Sequence, residues 1–365
     1  MTETLINSNE RLCAYSDELP DEYERAETPR QLYEEHPLDP DTEIVIADFR
    51  QTTNNIRKGL DPRLDVAIRP CSLDDSIQPD GTFSYLKFLE RVQTLRGNPI
   101  IAQYLFLGSG IYPAKPRTDE TDFRGLEQRD LVTAHDLVVT GANMQVPLRS
   151  EAMSKDHIAR YGDCLTSIQV GARDVGSTLL RHTLSCYDIP TYCKNADSGK
   201  VGPALKAMKT IAAPHVGAEI LLPDGTVGRR RGASLGNQNV GLIYRGGDDV
   251  ITPEQYQAKV IEVSNLGIPY QLDNAHGPEM VYDKHGKKSV EGQIAAFEDN
   301  LRLMYSGKLG ALPVGMMLEV YLLEGADITQ QTPGKSWTDP CIGIAQAEEM
   351  VLELARVHGK LMDRA

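Results

Sequence analysis

Residues 240–276 read VGLIYRGGDDVITPEQYQAKVIEVSNLGIPYQLDNAH, and their pattern changes twice. A short apolar run, VGLIY, breaks at Arg245-Gly-Gly; a stretch of helical period, TPEQYQAKVIEVSNLG, follows; a second short apolar run, IPYQLDNAH, ends the segment. Strand, helix, strand over so few residues is the signature of a βα unit feeding a parallel sheet.

Working outward, the same alternation recurs. Eight strand candidates stand along the chain: LDVAIRP, PIIAQYLFLG, DLVVTGANMQV, LTSIQVGAR, IPTYCKN, VGLIYRGG, IPYQLDNAH and GALPVGMMLEV. Between most of them lie helix-like segments such as YLKFLERVQTLRG, GPALKAMKTIAA and VEGQIAAFEDNLRLMYSG. Eight such units predict an α/β protein, a (β/α)8 TIM barrel spanning residues 36–365 as one catalytic domain. One segment, HVGAEILLPDGTVGRRRGASLG, has no helical period but carries a Pro-Asp-Gly turn between β-prone arms. It reads as a β-hairpin, about residues 214–236, inserted before the sixth barrel strand, with Arg229 to Arg231 on its exposed surface. Residues 1–35 are acidic and poor in periodic apolar positions, and read as an N-terminal arm that a partner subunit could order.

Composition narrows the function. A net charge of -14 over 365 residues argues against a nucleic-acid surface, which needs a basic footprint. No apolar run approaches the roughly 20 residues that span a bilayer, so a soluble, cytoplasmic protein is expected. The six cysteines (13, 71, 164, 186, 193 and 341) stand singly, without CxxC pairs, as reduced thiols would.

In barrels of this kind active sites form at the C-terminal ends of the strands. There the sequence places Cys71, Lys115 and Arg117, Arg173, Lys194, Arg245, His276 and Glu319. Arg173, Lys194 and Arg245, each flanked by small residues, suit a phosphate or carboxylate cradle, or else pair with nearby Asp174, Asp197 and Asp248. Cys71, His276 and Glu319, with Asp339 of SWTDPCIG, supply thiolate, imidazole and carboxylates, a mixed set suited to a divalent transition metal. In LDVAIRPCSLDD, residues 64–75, the two-residue period of a strand points Arg69 and Cys71 to one face, so a guanidinium and a thiol share an interior.

The ordered set RPCS, KPRT, GAR, KN, GN, RGG, a strand-end AH, MLEVYLLEG and TDPCIG resembles the type I 3-deoxy-D-arabino-heptulosonate 7-phosphate (DAHP) synthases, from about residue 35 to the C-terminus. The resemblance implies a metal-dependent aldol-like condensation of phosphoenolpyruvate with erythrose 4-phosphate, releasing phosphate, at the entry to the shikimate pathway and aromatic amino acid biosynthesis. It implies a homodimer or homotetramer, and a divalent ion such as Mn, Fe, Co or Zn. By position, Cys71, His276, Glu319 and Asp339 match metal ligands, and Arg173, Lys194 and Arg245 match phosphoenolpyruvate ligands. Lys115 matches the lysine between the substrates, Arg117 with Thr118 the aldose-phosphate pair, and Glu151 a glutamate that holds a water near the donor phosphate.

The chain also departs from that family. The first motif usually begins with glycine, where this chain has Arg69; an arginine usually stands five residues before the KPRT lysine, where it has Gly110. The resemblance therefore implies either that Arg69 replaces the missing cation on a neighbouring strand, or that Arg69 pairs with an acidic residue in a changed donor pocket. Around the metal histidine the usual SHxNSxK gives way to AHGPEMVYDKHGKKS. A different aldehyde acceptor or enolpyruvyl-type donor is one alternative, and a non-catalytic regulatory or scaffolding paralogue another.

Overall fold

The computed structural model describes residues 40–71, 76–82, 84–111, 165–170, 181–182, 184–186, 190–196, 198–217, 219–221, 227–229, 231–247, 251–283, 285–329 and 331–363. Helix α1 (Pro40–Arg57) leads into β1 (Leu64–Arg69), followed by α2 (Ser84–Arg96), α3 (Pro99–Tyr104), β2 (Leu105–Ile111), β3 (Leu165–Val170) and β4 (Thr191–Lys194). Then come α4 (Gly202–Ala212), β5 (Glu219–Leu221), β6 (Val227–Arg229), β7 (Val240–Tyr244), α5 (Pro253–Ser264) and β8 (Tyr270–Asp273). The described chain closes with α6 (Val290–Met304), β9 (Gly315–Tyr321), β10 (Ile342–Gly343) and α7 (Ile344–Met362).

The sheet is parallel, in the order β1-β2-β3-β4-β7-β8-β9-β10, and β1 also pairs with β9, so the sheet returns to its first strand. Strands β1, β4, β7, β8 and β9 are buried at every position. Helices cover one face and the barrel interior the other, so VGLIY of β7 reads as a continuous apolar run rather than an alternating one. The closing contact needs Gly315, because a Cβ there would collide with the carbonyl oxygen of Asp65. Below it, the end of α1 seals the N-terminal mouth of the ring. The Arg57 guanidinium lies 3.8 Å over the Tyr192 ring and donates to Asn239 Oδ1 at 2.8 Å, while the Tyr192 hydroxyl donates to Asp65 Oδ2 at 2.6 Å.

Among the described residues the strand inventory differs from the sequence reading in one segment, PIIAQYLFLG. β2 hydrogen-bonds to β3 among the described residues; DLVVTGANMQV, residues 136–146, lies outside them. A further short strand, β10, two residues long, pairs with the last two residues of β9. The expected hairpin forms, β5 antiparallel to β6, and β7 follows it in the sheet. PIIAQYLFLG is half helix. Asn98 caps it by accepting from the amide of Ile100, and Pro99 suits the first turn, so the strand starts only at Leu105. The expected exposure of the basic run holds for Arg229 and Arg231; Arg230 and the N-terminal arm lie outside the described residues.

Candidate active site

All the described candidates collect at the C-terminal ends of the strands. Register does the first part of the work: Arg69, the last residue of β1, is the cross-strand partner of Glu319 on β9. Both are buried, and parallel partners present their side chains to the same side. Arg69 Nη2 lies 4.0 Å from Glu319 Oε1, while the Cys71 thiol donates to Glu319 Oε2 at 2.9 Å. The guanidinium and the thiol that share a face thus meet opposite oxygens of one carboxylate. The amide of Cys71 donates in turn to the buried Cys341 sulfur at 3.2 Å, which ties the first strand end to the last.

Ligand atoms of Cys71, Glu319 and Asp339 all lie within 4.8 Å of one another. His276 is oriented toward the same centre. Its Nδ1 lies 2.9 Å from Asp273 Oδ2, and its Nε2 lies 2.8 Å from Lys288 Nζ. An ammonium can only donate, so Nε2 accepts and the ring proton sits on Nδ1, donated to Asp273. Burial, partly opposed by Asp273 and reinforced by Lys288, pulls the His276 pKa down to about 4, which keeps the imidazole neutral. A neutral imidazole steered by a carboxylate, its lone pair aimed beside a thiol and two carboxylates, is the donor chemistry of a borderline-soft divalent metal. The residues fit such an ion.

A second set of charges faces this one. Lys194 ends β4, pairs with Asp273 Oδ2 at 3.4 Å and is 2% exposed. Burial first, then the neighbouring Arg69 and Arg245, lower its pKa to about 8 against the pull of Asp273 and Glu319. Arg245 follows β7; its amide donates to Asn195 Oδ1 at 2.7 Å, and Asn195 Nδ2 donates back to the Arg245 carbonyl at 2.9 Å. The two strand ends are thereby fixed side by side. Behind them Gly246 and Gly277 touch backbone to backbone, a contact that a Cβ on either would break. Among the described residues the mouth holds four cations, Arg69, Lys194, Arg245 and Lys288, against three carboxylates, Asp273, Glu319 and Asp339. On a chain of net charge -14 that local excess of positive charge is the electrostatic mark of an anion site.

The sequence profile of the DAHP synthetase I family matches residues 42–350. The chain belongs to the DAHP synthetase I family. Among curated DAHP synthases, the chain is 28% identical over 363 residues to the Tyr-sensitive phospho-2-dehydro-3-deoxyheptonate aldolase of Escherichia coli strain K12, covering 92% of this chain and 94% of that one. It is 26% identical over 345 residues to the Trp-sensitive enzyme of Buchnera aphidicola, covering 90% and 93%. The structure of a phospho-2-dehydro-3-deoxyheptonate aldolase from Francisella tularensis SCHU S4 superposes with a TM-score of 0.66 at 21% identity, over 93% of this chain and 99% of that one. The fold is that of the DAHP synthases, enzymes that form carbon–carbon bonds.

Arg69, Cys71, Lys194, Arg245, His276, Glu319 and Asp339 therefore converge, whereas Lys115, Arg117, Thr118, Glu151 and Arg173 lie outside the described residues. Lys194 finds its counter-ion in Asp273; Asp174, Asp197 and Asp248, its alternatives from sequence, also lie outside them. Three residues escaped sequence reasoning. Asp273, three residues before His276, had a signal in that spacing; Asn195 had one in Lys-Asn; Lys288 had none.

Proposed function

We infer that this DAHP synthetase I chain condenses phosphoenolpyruvate with erythrose 4-phosphate to give DAHP and phosphate, using a divalent metal held by Cys71, His276, Glu319 and Asp339. The observation that carries this is the meeting of two chemistries at one mouth: a soft, mixed ligand set beside a buried cluster of cations. When bound, the metal would supply a Lewis acid for the aldehyde oxygen of the acceptor. The chain's own residues do the rest. Arg245 and Lys194 would hold the donor's anionic groups, with Arg173 joining them by position. Arg69 ends β1, the strand paired with β2, which carries Gly110, and would bind the donor carboxylate. These cations are fixed in a buried site before substrate arrives, so they stabilise developing charge without reorganising. Lys115, Arg117, Thr118 and Glu151 complete the pocket in this reading: Lys115 between the substrates, Arg117 and Thr118 toward the aldose phosphate, and Glu151 near the donor phosphate.

The test is to incubate the chain with metal, phosphoenolpyruvate and a panel of aldehydes, following phosphate release and product mass. DAHP from erythrose 4-phosphate is the expected product; turnover only with another aldehyde would reassign the acceptor, whose neighbouring loop after His276 departs from the family pattern. Donor binding should also depend on pH. Lys194 attracts the donor as an ammonium, the form present below its pKa of about 8. Raising the pH through that value should raise the KM for phosphoenolpyruvate, and Lys194→Arg should flatten the profile. A flat profile in the unsubstituted chain would remove Lys194 from the donor site.

A further inference from the structure

The point toward which the metal-ligand candidates aim is held by a side chain of the protein itself. Lys288 Nζ lies 2.8 Å from His276 Nε2, 3.2 Å from Glu319 Oε2 and 3.2 Å from Asp339 Oδ2. An ammonium has three protons to donate, and here three acceptors take them. The backbone beneath is anchored on both sides. A tight turn over Asp283–Lys287 and a bridge from Tyr282 to Lys288 fix one side, and Ser289, which caps α6, fixes the other. Only the side chain of Lys288 is left to move. Its side chain is 11% exposed, and that of Asp339, one of its three acceptors, is 43% exposed.

We propose that Lys288 is a tethered placeholder cation: it holds the ligand set together while the metal is absent, and it must swing out when a metal enters. This rests on the metal reading above. The two cations exclude each other, because ligands that bind a metal at about 2.0–2.3 Å would close on the same centre the ammonium now fills. Without a cation at this point, Glu319 and Asp339 would lose the charge that bridges them. The placeholder preserves the site's shape at the cost of some metal affinity, and it makes the outward Lys288 available only in the loaded state.

Two measurements test this on the full chain. Titrating Mn2+ calorimetrically into chelator-treated protein, Lys288→Met should bind about tenfold or more tightly than the unsubstituted chain, the scale of one charge-assisted contact that no longer has to be broken. In the unsubstituted protein, which avoids any folding defect of the variant, acetic anhydride labelling read by mass spectrometry should modify Lys288 faster with Mn2+ than without. Equal or weaker Mn2+ binding by Lys288→Met, or labelling unchanged by Mn2+, would overturn the placeholder while leaving the metal site standing. Failure of both proteins to bind Mn2+ would overturn both readings.

Discussion

Glu319→Gln should lose both metal and turnover, the latter by roughly three orders of magnitude or more, since the variant gives up the charge on which the catalytic electrostatics converge. Glu319 takes a hydrogen bond from Cys71 and faces Lys288 at 3.2 Å and Arg69 at 4.0 Å. Burial would raise its pKa, but Lys288, His276, Arg69 and Lys194 hold the carboxyl well below the usual carboxylate range. Removing one member of a buried charge pair costs about 3–5 kcal/mol, because the partners remain charged without compensation. The metal-free variant should therefore also melt lower than the metal-free parent. Metal content and thermal unfolding of the two proteins check this together; a variant that keeps its metal and its melting temperature would show that Glu319 is peripheral.

Arg69→Met should raise the KM for phosphoenolpyruvate and lower kcat/KM by about ten- to hundredfold, the worth of one charge-assisted carboxylate contact. The prediction separates two roles that the geometry superimposes. As a donor ligand, Arg69 affects KM; as a strut for Glu319, it affects metal affinity and melting temperature but leaves KM alone. The double variant Arg69→Gly with Gly110→Arg returns the cation to the adjacent strand and should recover part of the lost kcat/KM. A single variant with unaltered KM would assign Arg69 to the strut role only.

Much of this architecture is legible in the sequence because parallel strands are buried on both faces. VGLIY is an unbroken apolar run, and Arg245, the polar residue that ends it, is by that fact at the mouth. Arg69 and Cys71 could be paired by period alone. PIIAQY could not be sorted by apolar content, which is the same in a buried helix and a buried strand; the Asn98-Pro99 cap was the available signal, and it is local. Lys288 was out of reach for a different reason. It lies in a basic loop, HGKK, that reads as solvated, and only the path of the chain from His276 back to α6 turns its ammonium inward.

The most direct test of the central claim uses Co2+ as a spectroscopic metal. Titrated into chelator-treated protein, it should give a sulfur-to-cobalt charge-transfer band in the near ultraviolet, and Cys71→Ser should abolish that band. No band in the unsubstituted chain, or the same band in Cys71→Ser, would contradict a metal centre built on Cys71 at the mouth of the barrel.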